Sequence, residues 1–242
     1  MPGVDTADAL LRAVDAFEID TYELPVEAAA MDRAARSLAA SGLLLLGEVH
    51  GVLENPLVVL RLVRELGVGG LALEWPEELA PQLDAFLADG SGLGHPLWWS
   101  GAGNITAGHF AVLRALERVT VTLFDGCSFA ADWSARDAAM ADRVLTRCDG
   151  PTLVVAGNLH TRTEPLELGV PMGARLAEAR PGVESVAIDY GSGGFYNFES
   201  RRGSGGPVEP GLRIVGGQLV VGLPEFREAI VPHVPPERVR VE

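Results

Sequence analysis

The 242-residue sequence predicts one α/β domain, residues 1–242, in three layers: a largely parallel central sheet with helices on both faces. Two observations predict this fold class. Short apolar runs alternate with helical patterns along the whole chain, which is typical of repeated strand–helix units. The length and the 48% apolar content fit one sizeable soluble domain, and no linker or internal repeat divides the chain.

The predicted strands are the apolar runs at 43–46, 70–73, 119–124, 152–156, 185–188 and 218–221. The predicted helices lie near 8–18, 26–40, 54–66, 107–118, 134–148 and 172–180. Two glycine-rich segments, 90–108 and 191–211, interrupt the alternation and carry interleaved aromatic residues. Irregular segments of this length are often binding loops, the alternative being a plain surface excursion. Trp98 and Trp99 of the first segment are therefore candidate substrate-binding residues.

The helix at 134–148 is expected to aim a cation at the carboxyl edge of the sheet. Ser134 and Asp137 have the capping-box spacing that marks a helix start. Four residues recur at every fourth position and share one stripe: Arg136, Met140, Val144 and Cys148. Because the last three are apolar, the stripe faces the core and Arg136 points inward from the first turn. A cation there opposes the helix dipole, so we expect Glu48 or Glu74 as its partner.

The charge balance excludes several classes of function. There are 33 acidic and 19 basic residues, and the net charge of −14 argues against nucleic acid and against membrane surfaces as partners. All the basic residues are arginine, which removes mechanisms that need a P-loop, kinase or Schiff-base lysine. The acidic N-terminus does not resemble a signal peptide, and no apolar run approaches transmembrane length. We therefore expect a cytoplasmic protein with a small-molecule substrate.

The two cysteines, Cys127 and Cys148, are predicted to be reduced. They form no Cys-x-x-Cys unit and offer no zinc-ligand spacing. Cys148 lies on the apolar stripe of the helix at 134–148, so packing in the core is its expected role.

Two copies of a Gly-x-x-His pattern follow predicted strands. Gly47-Glu48-Val49-His50 follows the apolar run 43–46, and Gly157-Asn158-Leu159-His160 follows the run 152–156. Strand ends of one polarity gather at the same edge of a parallel sheet, where open α/β sheets bind their ligands. We therefore expect the two histidines to lie together in a site.

Other polar side chains follow the remaining strands at this edge. Glu74 directly follows Leu73, and Asp125 directly follows Phe124, so both carboxylates should be partly desolvated and prone to shifted pKa values. Tyr190 follows the fifth strand. Together with the two motifs, these residues define the predicted catalytic set, which is Glu48, His50, Glu74, Arg136 and His160.

Four residues are predicted to bind substrate beside the tryptophans: Glu54, His109, Asp125 and Tyr190. Glu54 opens the helix after the first motif and lies on its inner stripe, although a first-turn glutamate is also favourable with the helix dipole alone. His109 flanks the Trp98-Trp99 segment. In one interpretation it lines a pocket, and in the other it lies on the surface.

These residues resemble the superfamily of erythromycin esterases, ChaN-like haem-binding proteins and TIKI peptidases. The resemblance rests on the order of the two Gly-x-x-His motifs with Glu54, Glu74 and Arg136-x-x-x-Met140, and it extends over about residues 43–224. It implies a soluble hydrolase or acyl-transfer enzyme acting on an ester, lactone or amide. Haem binding, as in ChaN, and a metal-dependent peptidase, as in TIKI, are the implied alternatives.

The leading hypothesis needs no cofactor. His50 acts as a general base on water, Glu48 or Glu74 orients its imidazole, and Arg136 or His160 stabilises the developing oxyanion. No Gly-x-Ser-x-Gly elbow is present, which favours direct activation of water.

A metal-dependent version of the same enzyme places a divalent ion on His50, Glu74 and His160, a common catalytic zinc set. In the haem hypothesis a histidine or Tyr190 is the axial ligand, and the aromatic loops cover the porphyrin.

Overall fold

The computed structural model describes residues 3–20, 22–126 and 132–233. The strands found there are β1 (Gly3–Val4), β2 (Leu43–Glu48), β3 (Gly70–Pro76), β4 (Thr120–Asp125), β5 (Thr152–Gly157), β6 (Glu184–Asn197), β7 (Glu199–Ser204), β8 (Gly211–Val215), β9 (Gln218–Phe226) and β10 (Val231–Pro232). The helices are α1 (Ala7–Asp15), α2 (Ala28–Ser41), α3 (Asn55–Leu66), α4 (Ala80–Asp89), α5 (Ala107–Ala115), α6 (Trp133–Arg147) and α7 (Met172–Ala179). Single 3-10 turns lie at Glu77–Leu79 and Pro96–Trp99.

The main sheet has the strand order β4-β3-β5-β2-β6-β9-β8, with β7 paired to β6. Neighbours from β4 to β9 are all parallel, whereas β8 and β7 pair in the antiparallel sense. The predicted mostly parallel sheet is confirmed. Its carboxyl edge gathers the ends of β2, β3, β4 and β5, which carry the candidate catalytic residues.

Alternate residues of β2 face two different cores. Leu44 and Leu46 belong to a core that includes residues of α3 and α5, and Leu43 and Leu45 belong to a second core with α6 and α7. This alternation follows from the two-residue period of a strand. A sheet buried on both faces by helices is the predicted three-layer arrangement.

All six predicted strands and all six predicted helices form, with boundaries that differ by a few residues except where strands extend. The sequence did not reveal α4, the short strands β1 and β10, or β7 and β8. Between Gly90 and Thr106 the chain lacks regular structure apart from the turn at Pro96–Trp99, in keeping with the loop expected there.

The segment 191–211 is mostly a hairpin and not the expected irregular loop. β6 continues to Asn197, the chain turns at Phe198 with a φ of 57°, and β7 returns along β6. Glycine is depleted in strands, so the glycines here concealed the strand pattern. They serve close packing: a Cβ on Gly193 would collide with the carbonyl of Phe226 on the neighbouring strand.

The capping box expected at Ser134 and Asp137 does not form, because the N-cap of α6 lies two residues before Ser134. The N-cap is Asp132, whose carboxylate accepts from Ser134 N over 2.9 Å. Asp137 does not turn back to the helix start, because its carboxylate is buried and bonded elsewhere. The predicted inward stripe is otherwise present, since Met140, Val144 and Cys148 are all buried.

Burial raises the pKa of the Cys148 thiol, in keeping with a packing role. Cys127 lies outside the described residues. The longest helix that the structure describes, α6, has 15 residues, and about 20 are needed to cross a bilayer. Within the described ranges no helix is long and apolar enough to span a membrane.

Candidate active site

The two Gly-x-x-His motifs lie side by side at the carboxyl edge of the sheet. β2 and β5 are neighbouring parallel strands, and their register pairs Glu48 with Gly157. Just beyond, Asn158 N donates to Glu48 O over 2.9 Å. A Cβ on Gly157 would lie 3.3 Å from His50 Nε2 and 3.4 Å from His160 Cδ2. Both imidazoles therefore border the space over Gly157, which places the two motifs together as expected.

Glu48 holds the His50 imidazole in one orientation. His50 Nδ1 lies 3.1 Å from Glu48 Oε1, and Glu48 is buried. A carboxylate only accepts hydrogen bonds, so we assign the proton to Nδ1, which leaves the Nε2 lone pair available. Burial opposes protonation of His50, but the hydrogen bond to Glu48 and the charges of Glu74 and Glu48 outweigh it, and the pKa of His50 is raised.

Asp137 holds the second imidazole in the same manner. Its Oδ1 lies 2.7 Å from His160 Nδ1, and its Oδ2 accepts from Met172 N over 2.7 Å. Asp137 is fully buried, and Trp133 stacks on the His160 ring at a centroid distance of 5.4 Å. The sequence pattern predicted a helix-capping role for Asp137 and did not indicate this contact. Its position on the buried stripe with Ala141 and Val144 was the available signal.

Arg136 occupies the centre of the site. Its Nη2 donates to Glu74 Oε1 and to Asp125 Oδ2, each over 2.7 Å, and its Nε donates to Asp125 Oδ1 over 3.1 Å. Its Nη1 lies 3.3 Å from His160 Nε2, which can accept because Nδ1 carries the proton. Glu74 is thus the partner expected from the sequence, and Glu48 is not. Asp125, predicted to bind substrate, instead binds Arg136.

The carboxylate of Glu74 is held on both sides. One oxygen accepts from Arg136, and the other accepts from Gly157 N over 2.7 Å. Burial alone would raise the pKa of Glu74, but the neighbouring His160, His50 and Arg136 and the Gly157 N–H lower it. Glu74 is therefore an ionised anchor for Arg136 and for the backbone of the second motif.

The proposed metal set does not fit a metal ion. In the described part of the chain, no group of three His, Cys, Asp or Glu side chains is arranged to hold one. The guanidinium of Arg136 contacts both Glu74 and His160, two of the three predicted ligands. A resident cation there repels a second cation and occupies the donor atoms that it would need.

The hydroxyl of Tyr190 supports the first motif. Its hydroxyl accepts from Val49 N over 3.0 Å and donates to Asn55 Oδ1 over 2.8 Å. Asn55 in turn donates to Val49 O. Burial raises the pKa of Tyr190 well above its ordinary value, so the phenol stays protonated. The hydroxyl thus bonds the backbone and a side chain of the loop that carries His50, and the binding role of Tyr190 stays a prediction.

Glu54 also has a structural role where substrate binding was expected. Its carboxylate accepts from Arg227 N and Arg227 Nε, each over 2.9 Å, and it is buried. This contact fastens the chain after β9 to the start of α3. The sequence analysis could not identify Arg227, which lies far along the chain.

The two tryptophans belong to the packing of the domain. Trp98 is fully buried against Trp75 and Phe110, and its indole N–H donates to Gly92 O. The Trp99 indole donates to Leu93 O. The predicted substrate-binding role is therefore wrong for Trp98, whose surface is covered, and Trp99 is partly buried against the same core.

His109, in the first turn of α5, reaches the site. It is buried with its ring edge-on to Trp75, and its Nε2 lies 3.9 Å from Glu48 Oε2. It therefore lies behind Glu48 and not on the surface that a substrate can contact.

A cleft of about 340 Å³ borders the two motifs. Its walls include Gly47, Asn158 and Thr161, but none of the candidate catalytic side chains. A volume of this size is within the range of small-molecule sites. The cleft therefore neighbours the histidine site through the motif backbones without containing its titratable groups.

Comparison with known proteins shows the fold. No model of a known protein family matches the chain, and no curated protein matches it in sequence. A succinoglycan biosynthesis protein aligns with a TM-score of 0.59 and 10% identity over 93% of this chain and 98% of that one. A Bacillus cereus protein aligns with a TM-score of 0.51 and 14% identity over 80% and 77%. These likenesses establish a shared α/β architecture.

The structure of ChaN from Campylobacter jejuni, reported with cofacial haem, is also similar, with a TM-score of 0.43 and 14% identity over 66% of this chain and 86% of that one. The link to erythromycin esterases and TIKI peptidases stays a prediction from the motifs.

Proposed function

We propose that the protein is a hydrolase that cleaves an ester, lactone or amide of a small molecule, with His50 as the general base. One observation carries this proposal. The His50 ring is fixed by Glu48 at Nδ1, while the structure gives its Nε2 no hydrogen-bond partner within the described residues. The side chain is 20% exposed, so Nε2 can reach a water at the mouth of the site.

The reaction assigns a defined path to each proton. His50 Nε2 takes a proton from a bound water, and the water oxygen forms a bond to the carbonyl carbon of the substrate. The resulting imidazolium is stabilised by Glu48, which stays ionised. When the bond to the leaving oxygen or nitrogen breaks, His50 returns the proton to that atom. Acid and alcohol, or acid and amine, are the products.

Arg136 is the donor that stabilises the developing oxyanion, and His160, whose Nε2 accepts from Arg136 Nη1, orients this donor. The side chain of Arg136 is 28% exposed, and its Nη1 does not contact the two carboxylates that hold Nε and Nη2. Preorganised donors of this kind are worth the most where water is excluded. Asp137 and Glu74 hold these two groups in place.

The charges of the site favour a neutral or cationic substrate. The site holds four carboxylates, of which Glu74 and Asp125 contact Arg136, Glu48 contacts His50 and Asp137 contacts His160. The whole chain carries a net charge of −14. Both repel a strongly anionic substrate and slow its approach.

A panel of neutral esters, lactones and amides tests the proposal. We expect turnover of at least one compound by the wild type, loss of turnover in His50→Gln, and retention in the control His95→Gln, whose ring only accepts from Leu97 N in a surface turn. Treatment with a chelator should leave the activity unchanged, since Arg136 takes the place of a metal. Equal turnover by His50→Gln and wild type would refute the assignment.

Haem binding is tested on the same variants. The Tyr190 hydroxyl is already bonded to Asn55, so we choose His50 as the candidate axial ligand. Its Nδ1 contacts Glu48, and its Nε2 has no hydrogen-bond partner among the described residues. A Soret shift on titration with haem that disappears in His50→Gln would assign His50 as an axial ligand and contradict the hydrolase proposal.

A further inference from the structure

A small cavity lies beside the His50–Glu48 pair. Its volume is about 10 Å³, which is about the space needed to hold one water molecule. Its polar lining comes from Glu48, His50, Glu74, Asn104 and His109. The cavity therefore has the polar lining and the volume that suit one water molecule and nothing larger.

Two acceptor atoms on this lining have no partner. Glu48 Oε2 and Asn104 Oδ1 are both buried, and neither makes a hydrogen bond within the part of the chain that the structure describes. The other atoms of these groups are engaged, since Glu48 Oε1 contacts His50 and Asn104 Nδ2 donates to Glu74 O over 2.9 Å. Buried polar atoms of native proteins are nearly always paired, through ordered water where no protein group is near.

His109 supplies the matching donor. Its backbone N–H donates to Thr106 Oγ1, and that hydroxyl lies 2.9 Å from His109 Nδ1. The hydroxyl hydrogen is free to donate to Nδ1, so we assign the proton of the neutral ring to Nε2. Burial lowers the pKa of His109 and keeps the ring neutral. Its Nε2–H then points to a Glu48 oxygen 3.9 Å away, a distance that is too long for a direct bond.

We propose that this cavity holds one ordered water, which accepts from His109 Nε2 and donates to Glu48 Oε2 and Asn104 Oδ1. The three contacts use one donor and two acceptors, which is a complete set for a buried water. They also pair both of the unpartnered acceptor atoms.

The water makes His109 and Asn104 positioning residues for His50. Glu48 is bonded to the imidazole at one oxygen and to the water at the other, so the carboxylate cannot rotate away from Nδ1. Asn104 further ties the same network to the backbone of Glu74. That His50 is the catalytic base rests on the proposed function, whereas the water and its effect on the His50–Glu48 bond do not.

High-resolution crystal structures test the water directly. We expect a density peak within hydrogen-bonding distance of His109 Nε2, Glu48 Oε2 and Asn104 Oδ1 in the wild type. The peak should be lost in His109→Phe and in Asn104→Leu, and kept in His109→Gln, whose amide N–H replaces the imidazole donor. An empty cavity in the wild type, or a water that persists unchanged in both loss variants, would overturn the proposal.

A spectroscopic signal tests the positioning role without any substrate. The His50 Nδ1 proton should give a sharp downfield nitrogen-correlated NMR signal in the wild type and in His109→Gln. We expect this signal to broaden and to exchange faster with solvent in His109→Phe and Asn104→Leu. An unchanged signal in folded loss variants would remove the positioning role. If the signal behaves as expected while the protein hydrolyses no compound of the panel, the hydrolase proposal fails and the water network stands.

Discussion

His160 Nδ1 lies 2.7 Å from Asp137 Oδ1, and the carboxylate of Asp137 is fully buried beneath it. The His50–Glu48 pair repeats this arrangement on the neighbouring strand end at 3.1 Å. Two imidazoles are thus oriented by two buried carboxylates around the same glycine. In each ring the carboxylate contacts Nδ1. His160 Nε2 then accepts from Arg136 Nη1, whereas His50 Nε2 is available for chemistry.

Replacing Asp137 with Asn should weaken both the fold and the site. The variant loses a charge-assisted hydrogen bond in a dry environment, and we expect the free energy of unfolding to fall by about 1.5–3 kcal/mol. The Asn amide can also donate to His160 Nδ1, which moves the ring proton to Nε2 and opposes Arg136 Nη1. Chemical denaturation and nitrogen NMR of His160 measure the two effects. Asp132→Asn is the control, since Asn caps a helix about as well as Asp; equal stability losses would contradict the account.

Arg136→Lys should disrupt the centre of the site. A lysine ammonium cannot make the two parallel bonds to Asp125 while also bonding Glu74. Breaking a buried pair costs about 3–5 kcal/mol, and we expect the lower end, because the Arg136 side chain is partly exposed. Denaturation at neutral pH measures this change. In the control, Arg147→Lys at the exposed pair with Glu77, the loss should stay below about 1 kcal/mol. Similar small losses in both variants would show that the Arg136 cluster is not a structural centre.

Gly157→Ala should lower activity by about 100-fold while the fold is retained. The added methyl group would lie 3.3 Å from His50 Nε2, in the space where the attacking water must bind. Misplacing a reacting group by about 1 Å costs about 100-fold in rate. The control is Gly150→Ala, where a new Cβ meets nothing within 4 Å. Full activity in Gly157→Ala would place the reaction elsewhere.

The raised pKa of His50 sets the pH dependence of rate and stability. Activity needs neutral His50, so the acid limb of the rate profile should lie above the ordinary value of 6.5. Glu48→Gln removes the bond and charge that raise the pKa, and the limb should move to lower pH. The contact also stabilises the fold fully below pH 6.5, and this stability is lost as the pH rises through the raised pKa. Glu48→Gln should therefore cost more stability at about pH 6 than at about pH 9. An equal cost at both would show that the two groups do not interact.

The sequence was sufficient for the six parallel strands of the main sheet because a buried strand leaves a local apolar run. The apolar runs at β2 and β5 fix two parallel strands, and the Gly-x-x-His motifs at their ends follow from the chain direction. The hairpin of β6 and β7 was hidden because its glycines exist for close contact with β9, a relationship between distant segments. Local composition alone predicts a loop for this glycine-rich segment.

The site was predictable where its residues follow strands and not where partners come from elsewhere. Glu48, His50, Glu74 and His160 were found from their positions after apolar runs. Contacts made across the fold carried no local signal: those of Asp125 to Arg136, Arg227 to Glu54, and Asn55 to Tyr190. Trp98 was misjudged because a glycine-rich loop resembles a binding loop, whether its aromatic side chains face solvent or the core.

The central claim is that His50 Nε2 removes the proton from the attacking water. Turnover by His50→Ala with and without added imidazole, on a compound that the wild type hydrolyses, tests it most directly. Loss of a general base lowers the rate by about 10²–10⁴-fold, and free imidazole should restore part of it in this variant but not in Arg136→Lys. Turnover by His50→Ala at the wild-type rate would contradict the account.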